Sequence, residues 1–352
     1  MNKFVHIGYP KNLSTSLQRS YFARHPEIEY LGIASGGILD YADDKVNAFF
    51  EHFCKYCLNA NYAPHREGFV SHFADVFTRA EANGAKAVGA SSEHLSFAFT
   101  ADQIDVATKA QRLAEVFGDG TKIVVLIRNQ GQLLRSVYRE GIRDGYPGTF
   151  EDYVKFLYRF QDKNFVVDCE FDKALDAYAN EFGAANIHVF VYENSVEQGQ
   201  LKTENECPVL ISGIQSALGL NDFPDVRPEH CHAKLESGVL AEKRKLNTKT
   251  RHDLGYELWN GNENHRLGVY FTSFLQCEMD EAETYRNVAT KRELIKLAEA
   301  EESPDTFDES LSQEAQRYWA SLMDRFMASN ERLRNKAYAN RINLPDSFFD
   351  LS

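Results

Sequence analysis

Three short, nearly continuous apolar runs constrain the fold of this chain more than any other feature of its sequence. They are KFVHIG (3–8), KIVVLI (122–127) and IHVFVY (187–192), with AKAVGAS (85–91) as a weaker fourth. Runs of this length without polar alternation are typical of strands that are buried on both faces. Helical patterns such as SLQRSYFARH and FDKALDAYANEFG separate them. We therefore predict an α/β fold with a mainly parallel central sheet and helices on both faces.

The C-terminal third has a different pattern. From about 235 to 300 the chain is polar and helix-prone, and it contains no clear strand. Apolar residues at spacings of three, four or seven then predict one face of a long amphipathic helix: Leu311, Ala315, Tyr318, Leu322, Phe326, Leu333 and Ala337. Because no linker composition is visible, we predict one domain over residues 1–352. Its residues from about 235 to 345 would form a mostly helical extension packed on the α/β core.

Charge and cysteine content limit the possible partners. The chain has 52 acidic and 39 basic residues, a net charge of −13 that opposes binding to nucleic acid or to an anionic membrane. No apolar run approaches the roughly 20 residues of a membrane span, and no export signal is visible, so we expect reduced thiols in the cytoplasm. We interpret Cys54 and Cys57 as small buried hydrophobic residues. The ligands in HCH (230–232) are too close together for an easy tetrahedral site, and we predict no metal.

The segment after the first apolar run, GYPKNLSTSL (8–17), has the composition of an anion-binding turn. In parallel α/β folds, ligands bind beyond the carboxyl ends of the strands. A helix that starts near Ser14 would offer backbone N–H groups and the positive end of its dipole. Lys11 would add a full charge, and Ser14, Thr15 and Ser16 would add hydroxyl donors. The alternative is a plain helix cap by Ser14 with Lys11 in solvent. The spacing differs from the GxxxxGK[ST] of a nucleotide phosphate loop.

A second anion site is predicted after KIVVLI. Arg128 ends this apolar strand, and Ser136 follows eight residues later, early in the next helical pattern. A guanidinium and a hydroxyl in these positions would converge on an anion close to the first one. The alternative is an edge arginine paired with an acidic residue, and a serine on a helix surface.

Together these two strand ends resemble the sulfotransferases that use 3′-phosphoadenosine 5′-phosphosulfate (PAPS). HIGYPKNLSTSLQ is similar to their 5′-phosphosulfate loop, and Arg128, Ser136 and Tyr138 are similar to their 3′-phosphate motif. Val191-Tyr192-Glu193 matches the strand end whose tyrosine approaches the adenine. The resemblance extends from about residue 3 to 220 and implies a sulfotransferase fold like that of P-loop NTPases. It implies PAPS as co-substrate, the desulfated bisphosphate (PAP) as product, and these donor-binding residues: Lys11, Asn12, Leu13, Ser14, Thr15, Ser16, Arg128, Ser136 and Tyr192.

Three departures from the family pattern concern the donor site. Leu13 stands where glycine is usual, and Asn129 is followed by Gln130 rather than by proline. The late Arg-Lys-Gly segment of cytosolic members has no clean counterpart. Lys243-Arg244-Lys245 could replace it, but we interpret this segment as a solvated basic turn.

The resemblance also implies a catalytic base. His94 matches the histidine that removes the acceptor's proton in cytosolic members, and the usual pKa of histidine, about 6.5, suits this task. Glu93 could tune His94 or serve as the base itself. We therefore predict in-line transfer of a sulfuryl group from PAPS to a hydroxyl or amine, with Lys11 stabilising the leaving oxygen. The acceptor could be a glycan, a lipid headgroup or a small natural product. A P-loop-type nucleotide kinase or NTPase, and a non-catalytic relative that binds nucleotide or glycan, are the alternatives.

Overall fold

The computed structural model describes residues 1–35, 38–98, 103–143, 146–197, 200–204, 207–226, 228, 237–253, 308–336, 338 and 344–350. Its central feature is a six-stranded sheet. The strands are β1 (Asn2–His6), β2 (Ile28–Ser35), β3 (Ile38–Tyr41), β4 (Ala87–Ser92), β5 (Lys122–Ile127) and β6 (Ile187–Val191). Their order across the sheet is β3-β2-β4-β1-β5-β6, and only β3 is antiparallel to its neighbour. The prediction of an α/β fold with a mainly parallel sheet is confirmed.

The helices cover most of the remaining described chain. They are α1 (Ser14–Ser16), α2 (Asp44–Ala48), α3 (Asn59–Tyr62), α4 (Arg66–Ala82), α5 (Val106–Phe117), α6 (Gln130–Arg143), α7 (Phe150–Arg159), α8 (Phe171–Phe182), α9 (Tyr192–Ser195), α10 (Val209–Leu218), α11 (Ser237–Asp253), α12 (Gln313–Arg334) and α13 (Asp346–Phe349). Helices α1 and α2 continue as π-helical turns, Leu17–Phe22 and Phe49–Phe53. Two short hairpins pair Val196–Glu197 with Gln200–Leu201 and Thr203–Glu204 with Cys207–Pro208.

Both faces of the sheet are buried, which explains the continuous apolar runs. Successive side chains of a strand point to opposite faces. Thus Phe4 and Val124 join the apolar cluster under α10 and the π-helical turn after α1, whereas Val5 and Val125 join a larger cluster on the other face. Helices α4 to α8 and α12 supply the aromatic and aliphatic residues of that larger cluster.

Helix α12 confirms the predicted amphipathic segment. Its buried residues include Leu322, Phe326 and Leu333, which pack into the larger cluster, and Ala315 is also buried. Ion pairs also join it to the start of α8, with Arg325 Nη2 2.5 Å from Glu170 Oε1 and Arg332 Nε 2.6 Å from Asp172 Oδ2. Residues 254–307 of the predicted extension, and Ala337, lie outside the described residues.

The interpretation of Lys243-Arg244-Lys245 as a solvated turn is wrong. The segment lies within α11, and the Lys243 side chain is buried. Arg244 forms a side-chain hydrogen bond with Tyr138 of α6, and Asn247 Nδ2 donates to Ile142 O at 2.8 Å. The apolar residues 239–241 are buried and α11 packs against α6, so that Lys243 is buried with them, whereas Lys245 remains exposed.

The four described cysteines are free thiols. Cys54 and Cys57 are buried, as predicted, and burial raises the pKa of the Cys54 thiol to about 12, so Cys54 does not have the character of a reactive thiol. The HCH segment (230–232) lies outside the described residues. None of the helices in the described part of the chain combines the length and the apolar character needed to cross a membrane.

Candidate anion-binding site at the strand ends

The loop between β1 and α1 has an unusual backbone. Lys11 and Leu13 both lie in the left-handed region, with φ of 62° and 61°. Side-chain-bearing residues in this region cost of order 1–3 kcal/mol each, and the surrounding structure must enforce them. Such strain concentrates at ligand sites, and here it occurs at two residues of the predicted phosphosulfate loop.

Buried hydrogen bonds hold this loop in place. Asn12 Nδ2 donates to Leu126 O of β5 at 2.9 Å, and Ser14 Oγ donates to Tyr9 O at 3.1 Å. Ser96 Oγ donates to Gly8 O at 2.8 Å from the β4 side. A side chain at Gly8 would bring its Cβ into collision with Ser14 Oγ, so this position needs glycine. Asn12 and Ser14 are therefore the support of the loop from inside the protein.

Helix α1 begins without a side-chain cap. The residue at the cap position is Leu13, which offers no hydrogen-bond acceptor, and the first helical bond runs from Leu17 N to Leu13 O at 2.9 Å. The alternative of a plain cap by Ser14 does not describe this turn, because Ser14 is already helical and its hydroxyl donates to Tyr9 O.

Lys11 does not extend into solvent. Its Nζ lies 3.1 Å from Glu140 Oε2 on α6, and the two side chains are 24% and 34% exposed. Glu140 was not among the predicted site residues. Helical spacing could have identified Glu140 from the sequence, because it lies four residues after Ser136 and therefore on the same face of α6.

Arg128 connects three strand ends. Its guanidinium carbon lies 4.4 Å from the centroid of the Tyr192 ring, at the end of β6. Its Nη1 donates to Lys11 O at 3.4 Å, and its Nη2 donates to Gln132 Oε1 at 3.1 Å. Burial lowers the pKa of Arg128. Within the described residues Arg128 forms no close ion pair with a carboxylate, and its buried Nε has no hydrogen-bond partner.

Ser136 lies between Gln132 and Glu140 on α6. Gln132, Ser136 and Glu140 are spaced by four residues and lie along one face of α6. Since Gln132 contacts Arg128 and Glu140 contacts Lys11, this face is turned towards the loop. The convergence of Arg128 and Ser136 on one anion stays a prediction.

Glu93 lies beside the loop. It starts the short helical turn Glu93–Leu95 that follows β4, and it forms a side-chain hydrogen bond with Ser14. The pKa of Glu93 is raised to about 7, chiefly by burial and also by the charge of Glu140, while Ser14 and Lys11 act in the opposite direction. A carboxyl group with this pKa can accept a proton near neutral pH.

His94 belongs to a different set of contacts. Lys109 Nζ donates to Gln103 Oε1 at 3.2 Å, so the Gln103 amide turns its Nε2 towards His94 Nδ1, 3.2 Å away. Lys109 also donates to His94 O at 2.5 Å. Burial, together with the charges of Lys55 and Lys109, lowers the pKa of His94 well below its usual value. With Nδ1 as an acceptor, the neutral ring carries its proton on Nε2.

Glu193, the residue after Tyr192, is a further part of the site. It accepts from Asn129 N at 3.0 Å, and burial raises the pKa of Glu193. Its position just after β6 could have identified Glu193 as a site residue from the sequence. Among the described residues, no group of three or more His, Cys, Asp or Glu side chains could hold a metal ion.

No protein-family model matches the sequence, and no curated protein matches it significantly. Among solved structures, the chain is similar to a crystal structure of a sulfotransferase from Alicyclobacillus acidocaldarius. The two are 16% identical, the match covers 80% of this chain and 99% of the other, and the TM-score is 0.41. This likeness concerns the chain fold and does not identify the residues that act.

Proposed function

We propose that this protein is a sulfotransferase that moves a sulfuryl group from PAPS to a hydroxyl or amine of an acceptor. The observation that carries the proposal is the position of Arg128. Its guanidinium contacts the backbone of the Lys11 loop and the ring of Tyr192, so that β1, β5 and β6 end at one site. That site combines two cations with an aromatic surface, which suits a nucleotide with two separate anionic groups.

Each donor group has a matching part of this site. Lys11 and the hydroxyls of Thr15 and Ser16 would hold the 5′-phosphosulfate, while Asn12 and Ser14 keep the strained loop in shape. Arg128 and Ser136 would hold the 3′-phosphate, and Tyr192 would contact the adenine. Leu13 contributes its backbone conformation rather than a polar group.

Of the two candidate bases, we propose Glu93. It lies beside Ser14 and Lys11, whereas the imidazole of His94 faces the Gln103 amide and Lys109 donates to the His94 backbone carbonyl. The acceptor oxygen or nitrogen would form a bond to sulfur while the bond from sulfur to the bridging oxygen of PAPS breaks. The acceptor's proton would go to the Glu93 carboxylate, and the charge on the leaving oxygen would be stabilised by Lys11. Preorganised donors of this kind are typically worth about 3–4 kcal/mol each.

The experiment is transfer of ³⁵S-labelled sulfuryl from PAPS to pooled glycans, lipids and small natural products, without Mg²⁺. Lys11→Ala should lower turnover by about two orders of magnitude or more, because a charged donor to the leaving oxygen is lost, while PAP binding is partly retained. Lys163→Ala, at an exposed loop lysine, is the matched control. Turnover of Lys11→Ala equal to that of the unmodified protein contradicts the proposal.

Binding measurements with PAP and with ATP and Mg²⁺, made beside the transfer assay, separate the alternatives. Binding of ATP and Mg²⁺ without binding of PAP favours a kinase or NTPase. Tight PAP binding without transfer to any acceptor class favours a non-catalytic binding protein. We also infer a cytoplasmic location and no resident metal, and the free thiols of the four described cysteines are compatible with that location.

The assignment of the base has its own test, which is the pH dependence of kcat/KM. With Glu93 as the base, the rate should rise with pH up to about 7, where its carboxyl group ionises. Glu93→Gln should abolish most of the activity, while His94→Gln should keep the pH profile. If instead His94→Gln is the inactive variant, His94 is the base.

A further inference from the structure

The side chain of Lys11 is held differently from its backbone. The backbone is tied down on both sides, since Lys11 O accepts from Arg128 and the adjacent Asn12 is anchored to β5. The ammonium group, in contrast, contacts Glu140 at 3.1 Å, and both side chains are partly exposed. An ion pair with solvent access can open without loss of buried structure.

Glu140 approaches the site from a rigid element. Tyr138 and Ile142, on either side of it in the sequence, are buried in the core, so α6 cannot easily move away. The Glu140 carboxylate therefore stays next to the place where an anion would meet Lys11. A carboxylate close to a sulfate or phosphate group is repelled by it, and it competes with that group for the same ammonium.

We propose that Glu140 is a built-in competing anion: it holds Lys11 while the donor is absent and yields Lys11 when the phosphosulfate enters. This inference rests on the proposed sulfuryl transfer, and it adds a positioning residue to that reaction. Restoration of the Lys11–Glu140 contact after transfer would favour release of PAP. Glu140 thus weakens the binding of both the donor and the product, and as a result PAP is released and replaced by PAPS more quickly.

Glu140→Gln tests this directly, because it keeps the shape of the side chain and removes the charge. We expect PAP, measured by isothermal titration calorimetry, to bind about three- to tenfold more tightly to this variant and to dissociate more slowly. A merely structural defect would weaken binding instead. Glu181→Gln is the matched control. It removes one exposed carboxylate at the end of α8, just before β6 begins and away from the strand ends that form the site, and it should leave the affinity unchanged.

A double-mutant cycle tests the role of Lys11. If Glu140 acts by competing for the ammonium, the gain from Glu140→Gln should be smaller in a Lys11→Met background than in the unmodified protein. Equal gains in the two backgrounds overturn the proposed role. So does PAP binding that is unchanged or weaker in Glu140→Gln, and in that case PAPS transfer by the unmodified protein leaves the proposed function standing.

If PAP binds to neither protein, the proposed sulfuryl transfer fails, and inorganic sulfate becomes the probe. Tighter sulfate binding by Glu140→Gln than by the unmodified protein would then still support Glu140 as a competing anion. Equal sulfate binding by the two proteins would overturn it.

Discussion

Glu93 and His94 are adjacent in the sequence but have opposite surroundings. Both lie in a short helical turn with three residues per turn, in which neighbouring side chains point about 120° apart. Glu93 therefore faces Lys11 and Ser14. His94 instead lies near Gln103, Lys55 and Lys109. The pKa of the carboxyl group is raised and that of the imidazole is lowered, both chiefly by burial.

The raised pKa of Glu93 predicts a gain in stability on its removal. Since the folded pKa of about 7 exceeds the usual value of 4.5, the stability that Glu93 contributes is complete below pH 4.5 and is lost as the pH rises through 7. Glu93→Gln should therefore be more stable than the unmodified protein at pH 8, by about 1–3 kcal/mol, and similar at pH 4. Urea unfolding at both pH values measures this. Glu67→Gln, at an exposed residue of α4, is the control, and lower stability of Glu93→Gln at pH 8 would contradict the prediction.

Leu13 provides a second test at the scale of one residue. Replacement by Gly or Ala removes the same side-chain contacts, but only Gly relieves the left-handed conformation at φ 61°. Leu13→Gly should therefore be about 1 kcal/mol more stable than Leu13→Ala, the reverse of the usual order in helices. Denaturant midpoints of the two variants decide the matter. Equal stability, or a more stable Ala variant, would mean that the loop is not strained at Leu13.

At the scale of elements, the residue after Arg128 ties the C-terminal helix to the sheet. The buried Asn129 Nδ2 donates to Asp350 O at 2.7 Å, and to Ser347 O and Phe348 O at 3.3 Å each. Its Oδ1 accepts from Gln132 N at 2.9 Å, which fixes the orientation of the amide. Asn129 thus adds hydrogen bonds to a helix whose Phe348 is also buried in the larger cluster, and it does so next to the proposed 3′-phosphate site.

Asn129→Asp should detach this helix. The change replaces the three donated hydrogen bonds with a carboxylate oxygen that faces three carbonyl groups, at a cost of about 2–4 kcal/mol. We expect a lower free energy of unfolding and faster proteolysis near residue 344. Asn335→Asp, at an exposed residue, should cost less than about 0.5 kcal/mol. Equal costs at the two positions would show that α13 does not depend on Asn129.

Strands with a strong apolar pattern were predictable from the sequence, whereas β2 and β3 were not. The sequence predicted β1, β4, β5 and β6 because their residues are buried by both helical layers. It did not predict β2 and β3, since IEYLGIAS contains polar residues and glycine, and its register with β4 shifts between Tyr30 and Ile33. The pairing of such strands depends on the neighbouring strand rather than on local composition.

At the scale of the whole molecule, buried histidines and carboxyl groups have opposite effects on acid stability. Burial lowers the pKa of His6 to about 3, and the pKa of His94 is also lowered. Such groups make stability fall as the pH drops below 6.5, because the unfolded chain binds their protons. Burial raises the pKa of Asp168 to about 6 and that of Glu93 to about 7, and these groups make stability rise over the same range.

We therefore expect a stability profile with two parts. Between about pH 4.5 and 6 the two histidines and the two carboxyl groups should nearly cancel, and the denaturant midpoint should change little. Below about pH 4 the carboxyl groups are protonated in both states, so the histidines should dominate and stability should fall steeply. Midpoints measured from pH 3 to 7 test this, with Glu93→Gln expected to show a slope where the unmodified protein is flat. A steady decline from pH 6.5 would contradict the balance.

The sequence alone determined the class of fold and the places where chemistry is possible. Continuous apolar runs require burial on both faces, and Lys11 and Arg128 follow two of them, so both cations had to lie at one edge of a parallel sheet. The surroundings of each group depend on how the chain folds. It brought Glu140 to Lys11 across 129 residues of chain, separated Glu93 from His94, and placed Leu13 in the left-handed region, since these outcomes depend on packing between distant segments.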